Sequence, residues 1–109
     1  MAAELGKQES VAASPVKLRW SRRAIRRLAS IHDYIAKDSP AAATRVAAAI
    51  VQSALRLQKF PYIGRPGRIA GTHELVIPGL PYIIPYRVVD NVIQISSVIH
   101  TSRKWPEKL

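Results

Sequence analysis

The stretch Tyr82-Ile83-Ile84-Pro85-Tyr86-Arg87-Val88-Val89-Asp90-Asn91-Val92-Ile93-Gln94-Ile95-Ser96-Ser97-Val98-Ile99-His100 decides the fold. Two apolar runs flank Asp90-Asn91. Asp and Asn tolerate the left-handed backbone that a two-residue hairpin turn demands, so a β-hairpin with Val89 opposite Val92 is predicted. Side chains alternate across a strand, and the register therefore assigns faces. One face takes Arg87 with Gln94, Pro85 with Ser96, Ile83 with Val98, and Pro81 near His100. The other takes Val88 with Ile93, Tyr86 with Ile95, Ile84 with Ser97, and Tyr82 with Ile99. The second face is more apolar and is expected to lie under helices. The first is expected to stay open, with Arg87 and His100 roughly 20 Å apart at ~3.3 Å per residue. Pro85 lacks a ladder donor, and its missing N–H is expected at a bulge or on an unpaired side.

Upstream, Val16-Lys17-Leu18-Arg19-Trp20 alternates apolar and basic residues and reads as a strand. Ser21 fits a helix N-cap. Ala24, Leu28, Ile31 and Ile35 then form one helical stripe. Arg22, Arg26 and Asp33 fall on the opposite face, and Arg23 and Arg27 share a flank with Tyr34. This helix should stop near Asp38. Ser39-Pro40 reads as a second N-cap with proline at the first helical position. Ala43, Val46, Ala47, Ile50, Ala54 and Leu57 share one face of the next helix, which ends at Phe60-Pro61. A short connection makes the two helices antiparallel neighbours. Residues 62–72 are rich in Gly, Pro and Arg and read as loop, with a short strand expected around Arg68-Ile69; His73 to Ile77 reads as a strand. The expected fold is α+β: an N-terminal strand and an antiparallel helix hairpin packed on one face of a small, mostly antiparallel sheet. A flexible tail is expected over 1–15 and a single domain over 16–109.

Composition narrows the function. The chain has 109 residues, 17 Lys+Arg against 7 Asp+Glu, and a net charge of +10. In so small a protein that balance implies a polyanionic partner. Cysteine is absent, which excludes disulfides, thiol catalysis and cysteine–zinc sites. No apolar run approaches the ~20 residues of a membrane span, and residues 1–15 lack a secretory pattern. A cytoplasmic location, no membrane partner and no cofactor are expected.

Candidate residues follow from the charge. His100 ends the last strand ahead of Arg103, Lys104 and Trp105. A histidine there suits acid–base chemistry with an arginine against phosphoryl charge, or it simply caps the open face at the strand end ahead of a solvated basic tail. Arg65 and Arg68 stand on the stiff loop Gly64-Arg65-Pro66-Gly67-Arg68, where guanidinium groups hold anions bidentately or lie solvated in a turn. Arg22, Arg23, Arg26 and Arg27 make a basic helix edge suited to a phosphate backbone or an acidic segment. Glu74 beside His73 reads as a base or, more simply, as the partner of an arginine such as Arg68 or an exposed strand residue. His32, His73 and His100 show no metal-ligand spacing.

The ordered set Trp20-Ser21-x-x-Ala24-x-x-x-Leu28-x-x-Ile31-x-x-Tyr34-Ile35, Ser39-Pro40-x-Ala42, Leu57-x-x-Phe60-Pro61-x-x-Gly64-Arg65, Glu74-Leu75-Val76, Tyr82-x-x-x-Tyr86-Arg87-Val88, Ile93-x-Ile95, Val98-x-His100 and Arg103-x-Trp105-Pro106 resembles the RelE/ParE toxin superfamily of type II toxin–antitoxin modules. The resemblance implies a cognate antitoxin whose acidic, amphipathic C-terminal segment wraps and neutralises the toxin, with operator DNA reached only through that antitoxin. RelE-like members cleave mRNA in the ribosomal A site, and ParE-like members inhibit DNA gyrase. The helix pattern and the Tyr86-Arg87 step are similar to the ParE branch. Pro81-Tyr82-Ile83 stands where the nucleases carry a basic residue. His100 and Arg103 stand where some ribonuclease members place a histidine and an arginine. The expected function is therefore a gyrase-inhibiting, growth-arresting toxin without turnover; the alternative is a ribosome-dependent endoribonuclease using His100, Arg103 and Arg68. Target or anion contacts are expected at Arg65, Arg68, Arg87, His100, Arg103 and Lys104, and antitoxin contacts at Arg22, Arg23, Arg26, Arg27 and Tyr34 of the first helix, on the second helix and on the open sheet face.

Overall fold

The structure, a computed structural model, describes residues 16–102. The tail read over 1–15, and Arg103 and Lys104, lie outside the described residues. The elements are β1 (Lys17–Trp20), α1 (Arg22–Ala36), α2 (Pro40–Leu55), a 3-10 turn (Arg56–Gln58), β2 (Arg65–Pro66), β3 (His73–Val76), β4 (Tyr82–Val89), β5 (Val92–Ile95) and β6 (Ile99–His100). The sheet order is β1-β5-β4-β3-β2, with β6 also on β4. Only β1 and β5 pair in parallel.

Local chemistry explains the elements. Asp90 (φ 48°) and Asn91 (φ 62°) are both left-handed, as a two-residue hairpin turn with strand-matching twist requires. Val89↔Val92, Val88↔Ile93, Arg87↔Gln94 and Tyr86↔Ile95 pair as the sequence predicts. Ser39 caps α2 by accepting from the Ala42 N–H, with Pro40 at the start. Under the helices, Ala24 of α1, Ile50 and Ala54 of α2 and Leu57 of the 3-10 turn meet Leu75, Ile84, Tyr86, Ile93 and Ile95 of the sheet. Fully burying each large aliphatic side chain contributes about 1.5–3 kcal/mol. No described helix is long and apolar enough to cross a membrane.

The hairpin departs from its predicted register beyond Ile95. β6 pairs Tyr82↔His100 and Ile83↔Ile99. Three steps along β4, from Tyr86 to Ile83, are thus matched by four on the partner, from Ile95 to Ile99. That is one extra residue, a bulge within Ser96–Val98. The expected pairs Ile83–Val98 and Tyr82–Ile99 are therefore replaced, and every side chain after the bulge changes face. Val98 enters the helix-side core, Ile99 joins Ile83 on the other face, and His100 moves to the helix side.

Pro85 supplies the physical reason. The Ser96 N–H donates to the Pro85 carbonyl at 3.0 Å. The return bond to the Ser96 carbonyl would come from residue 85, and proline has no N–H to donate. The Ser21 hydroxyl donates to that carbonyl instead, at 2.8 Å. The same hydroxyl caps α1 by accepting from the Ala24 N–H at 3.0 Å, while the Ser21 N–H donates to the Ile95 carbonyl at 2.9 Å. One serine thus starts the first helix and closes the gap left by a proline in the sheet. Ser21→Ala is expected to cost about 1–2 kcal/mol, the usual range for an N-cap. Ser21→Asp should recover only the capping part, because aspartate accepts but does not donate. Chemical denaturation of the three proteins checks this, and an Asp variant as stable as the wild type would refute the second bond.

The second short strand also lies elsewhere than expected: β2 is Arg65–Pro66 and not Arg68-Ile69. The Arg68 N–H is diverted to the Glu74 carboxylate at 3.0 Å. The chain turns back at once, through Gly67 N–H to Thr72 C=O at 2.8 Å and Thr72 N–H to Ile69 C=O at 3.1 Å.

Candidate functional site

The register sorts the candidate residues onto two faces. Glu74↔Pro85, Arg65↔Glu74, Arg87↔Gln94 and Arg19↔Gln94 place Arg19, Arg65, Glu74 and Arg87 on the face away from the helices. Lys17, two residues before Arg19 on β1, shares it. Glu74 is only 2% exposed. Arg65 closes on its Oε1 with Nε and Nη2, both at 3.0 Å. Oε2 takes the Arg68 backbone N–H at 3.0 Å, with the Arg68 Nε at 3.9 Å. Glu74 is therefore an arginine partner, and His73, its chain neighbour, points to the opposite side. The loop of residues 64–72 folds over this end of the open face, bringing Gly71 against the Arg87 guanidinium.

Gly64 locks that loop to the sheet. Its N–H donates to the Tyr86 hydroxyl at 3.0 Å. Tyr86 is fully buried and stacks on His73, with ring centroids 5.4 Å apart and an interplanar angle of 25°. Burial holds the Tyr86 phenol above its ordinary pKa, opposed by the Gly64 hydrogen bond, which favours the phenolate.

The helix side holds the second feature, a groove of about 690 Å³ between α1 and the end of the sheet. Ile31, Ile35 and Val98 supply apolar lining, with Arg27, Asp33, Tyr34, Lys37 and His100 along it. Tyr34 is 74% exposed, with the Lys37 ammonium 5.9 Å from its ring centre. His100 Nδ1 accepts from the Ser102 N–H at 3.1 Å and lies 2.7 Å from the Ser102 hydroxyl. The ring meets Tyr82 edge-on at 5.3 Å. His100 ends β6 but does not cap the open face, since it pairs with Tyr82 on the helix side.

The structure therefore brings Arg65, Arg68 and Arg87 onto one face, and Arg27, Tyr34 and His100 into one groove on the other. The expected open-face position of His100 is corrected by the bulge, and with it the expected grouping of His100 with Arg68. Arg22, Arg23 and Arg26 are exposed on α1 but do not line the groove. In the sequence Lys17 and Arg19 carry only a strand signal, yet the structure adds them to the basic face. Their signal was present in the alternation, since basic residues at every second position make one strand face basic. Among the described residues, no group of three His, Cys, Asp or Glu could hold a metal ion.

Comparison with known proteins identifies this arrangement. A family model described as the ParE toxin of the type II toxin–antitoxin system parDE matches residues 18–105. The chain belongs to the ParE toxin family. A curated relative, the putative toxin Y4kP of Sinorhizobium fredii, is 48% identical over 93 residues, covering 85% of this chain and 96% of the relative. Toxin RelE2 of Caulobacter vibrioides is 36% identical over 84 residues, covering 77% and 93%. Among solved structures, the chromosomal ParDE system from P. aeruginosa superposes with a TM-score of 0.73 at 29% identity, covering 80% of this chain and 97% of that one. The RelBE2 toxin–antitoxin complex from Mycobacterium tuberculosis gives a TM-score of 0.57 at 28% identity, covering 79% and 98%. This ParE-like toxin of a type II toxin–antitoxin system has the α+β architecture of both structural neighbours.

Proposed function

We propose that this ParE-family toxin arrests growth by binding and inhibiting DNA gyrase, and that a cognate antitoxin neutralises it through an acidic, amphipathic segment laid along the α1–β6 groove. The observation that carries the first half is the bulge before β6. It places His100 on the helix side while Arg68, Arg65 and Arg87 lie on the other, so His100 and these arginines do not form one phosphodiester-cleaving centre. An inhibitor that works by binding needs no such centre. Supercoiling and cleavage-complex assays with gyrase and excess toxin test it: inhibition with trapped cleavage complexes is expected, and full gyrase activity overturns it. Primer extension on translated mRNA after induction tests the ribonuclease alternative, for which intact transcripts during arrest are expected here.

The antitoxin half rests on the groove's chemistry. An apolar floor beside Arg27 and Lys37, which outnumber the one lining acid Asp33, complements an acidic, amphipathic segment. Both structural neighbours come from toxin–antitoxin systems. Charge reversal by Arg27→Glu with Lys37→Glu is expected to weaken antitoxin binding by about 2–5 kcal/mol where the pair becomes buried. Reversal at Arg22 with Arg26, outside the groove, should change chiefly the on-rate and its salt dependence. Calorimetry and stopped-flow binding measure the two. Unchanged affinity for the groove variant would remove these residues from the interface.

A further inference from the structure

We propose that the open face of the sheet is itself a binding surface for the phosphate backbone of double-stranded DNA. The inference rests on the gyrase reading and deepens it, since gyrase acts on duplex DNA. Lys17, Arg19 and Arg87 stand on this face with Arg65 and Arg68 at its β2 edge. Its one acid from β3, Glu74, is buried and satisfied by Arg65 and Arg68, so it does not oppose the charge of Lys17, Arg19 and Arg87. Lys17 and Arg19 are exposed and Arg87 is half-buried.

The spacing suits a phosphate backbone. Arg19 and Arg87 flank Gln94 across two strand spacings, roughly 10 Å at ~4.8 Å each, and Lys17 lies about 7 Å along β1 from Arg19. Each strand of B-DNA presents one charge per ~3.4 Å of axis, so a patch this wide spans about three phosphates.

The register also selects duplex over single strand. Sites for single-stranded nucleic acid combine a basic groove with aromatic platforms on which bases stack. Here the aromatic strand residues Trp20, Tyr82, Tyr86 and His73 all fall on the helix side. Beside the exposed Val76 and Val89, the open face offers guanidinium and ammonium groups and the Gln94 amide, the chemistry of sequence-independent backbone contact. It lies opposite the α1–β6 groove. An antitoxin seated in that groove leaves the basic face uncovered, so the toxin contacts DNA directly within the complex, contrary to the expectation that it reaches operator DNA only through its antitoxin.

Fluorescence anisotropy with the full-length toxin, a short random-sequence duplex and the matching single strand across a salt series tests the proposal. Duplex binding is expected to be tighter than single-strand binding, with a log–log salt slope of about −2.7 for three contacts. Arg19→Gln with Arg87→Gln should flatten the slope by about 1.8 and weaken binding by about tenfold at low salt. Arg22→Gln with Arg26→Gln removes the same charge from α1 and should leave the slope unchanged. If the Arg87 change lowers folding in circular dichroism, Lys17→Gln with Arg19→Gln, both exposed on β1, replaces it. Equal losses from the α1 and sheet pairs, tighter binding to single strands, or no duplex binding would each overturn the proposal. Duplex binding through Arg19 and Arg87 without gyrase inhibition would refute only the gyrase reading; gyrase inhibition without duplex binding would refute only this one.

Discussion

Gly64→Ala is expected to destabilise the toxin by about 2–3 kcal/mol, at the upper end of overpacking costs. A Cβ at this position would lie 2.7 Å from the Tyr86 hydroxyl, 2.8 Å from the Tyr86 Cε1 and 2.9 Å from the Glu74 carbonyl oxygen. Tyr86 is fully buried and held against His73, and the Glu74 carbonyl is backbone, so neither has room to retreat. Relaxation would have to break the Gly64–Tyr86 hydrogen bond and lift the loop from the sheet. For a domain of this size the loss corresponds to a fall of roughly 10–20 °C in Tm. Removing the hydroxyl by Tyr86→Phe relieves only the shortest contact. The double variant should therefore be less destabilised than the two single losses added together, a coupling that thermal denaturation of all four proteins measures. A Gly64→Ala protein that melts with the wild type would show that the loop does not press on Tyr86.

The second large effect concerns Glu74 and its two arginines. Arg65→Ala with Arg68→Ala is expected to cost about 3 kcal/mol, because it strands a carboxylate that is 2% exposed without its cations. Removing the carboxylate instead should cost less. The Arg65 and Arg68 side chains remain 53% and 57% exposed, so water takes over their solvation. Glu74→Gln in the double-variant background should then restore stability, since it removes the buried charge and keeps an acceptor for the Arg68 N–H. Urea denaturation decides the order: a triple variant less stable than the double would mean that Glu74 acts through packing and not through its charge.

Much of the molecule was legible in the chain. Asp90-Asn91 and the alternation beside it specified the inner hairpin pair by pair, because a two-residue turn leaves no freedom of register. Ser21 and Ser39-Pro40 marked both helix starts, and the stripe through Ala24, Leu28 and Ile31 marked the face that packs on the sheet. An isolated strand acid among arginines points either to a partnership such as that with Arg68 or to plain exposure, and burial of Glu74 with Arg65 and the Arg68 N–H decides for the partnership. The site was less legible. Lys17 and Arg19 were absorbed into the strand signal that their alternation produced. Arg65 was expected as an anion-binding residue, and its guanidinium is engaged with Glu74, a residue nine positions later in the chain.

Sequence alone determined what local chemistry controls: the turn at Asp90-Asn91, the two helices with their caps, the more apolar face of the hairpin and an excess of positive charge. Tertiary structure decided which side His100 faces. Pro85 announced a missing donor, but where the ladder would adjust depended on what else could reach the Ser96 carbonyl. That group is the Ser21 hydroxyl, 75 residues away in the chain. With the carbonyl satisfied from the helix cap, the strand takes its extra residue and turns Val98 into the core. Because strand side chains alternate with period two, that single residue carries His100 to the face opposite Arg65, Arg68 and Arg87.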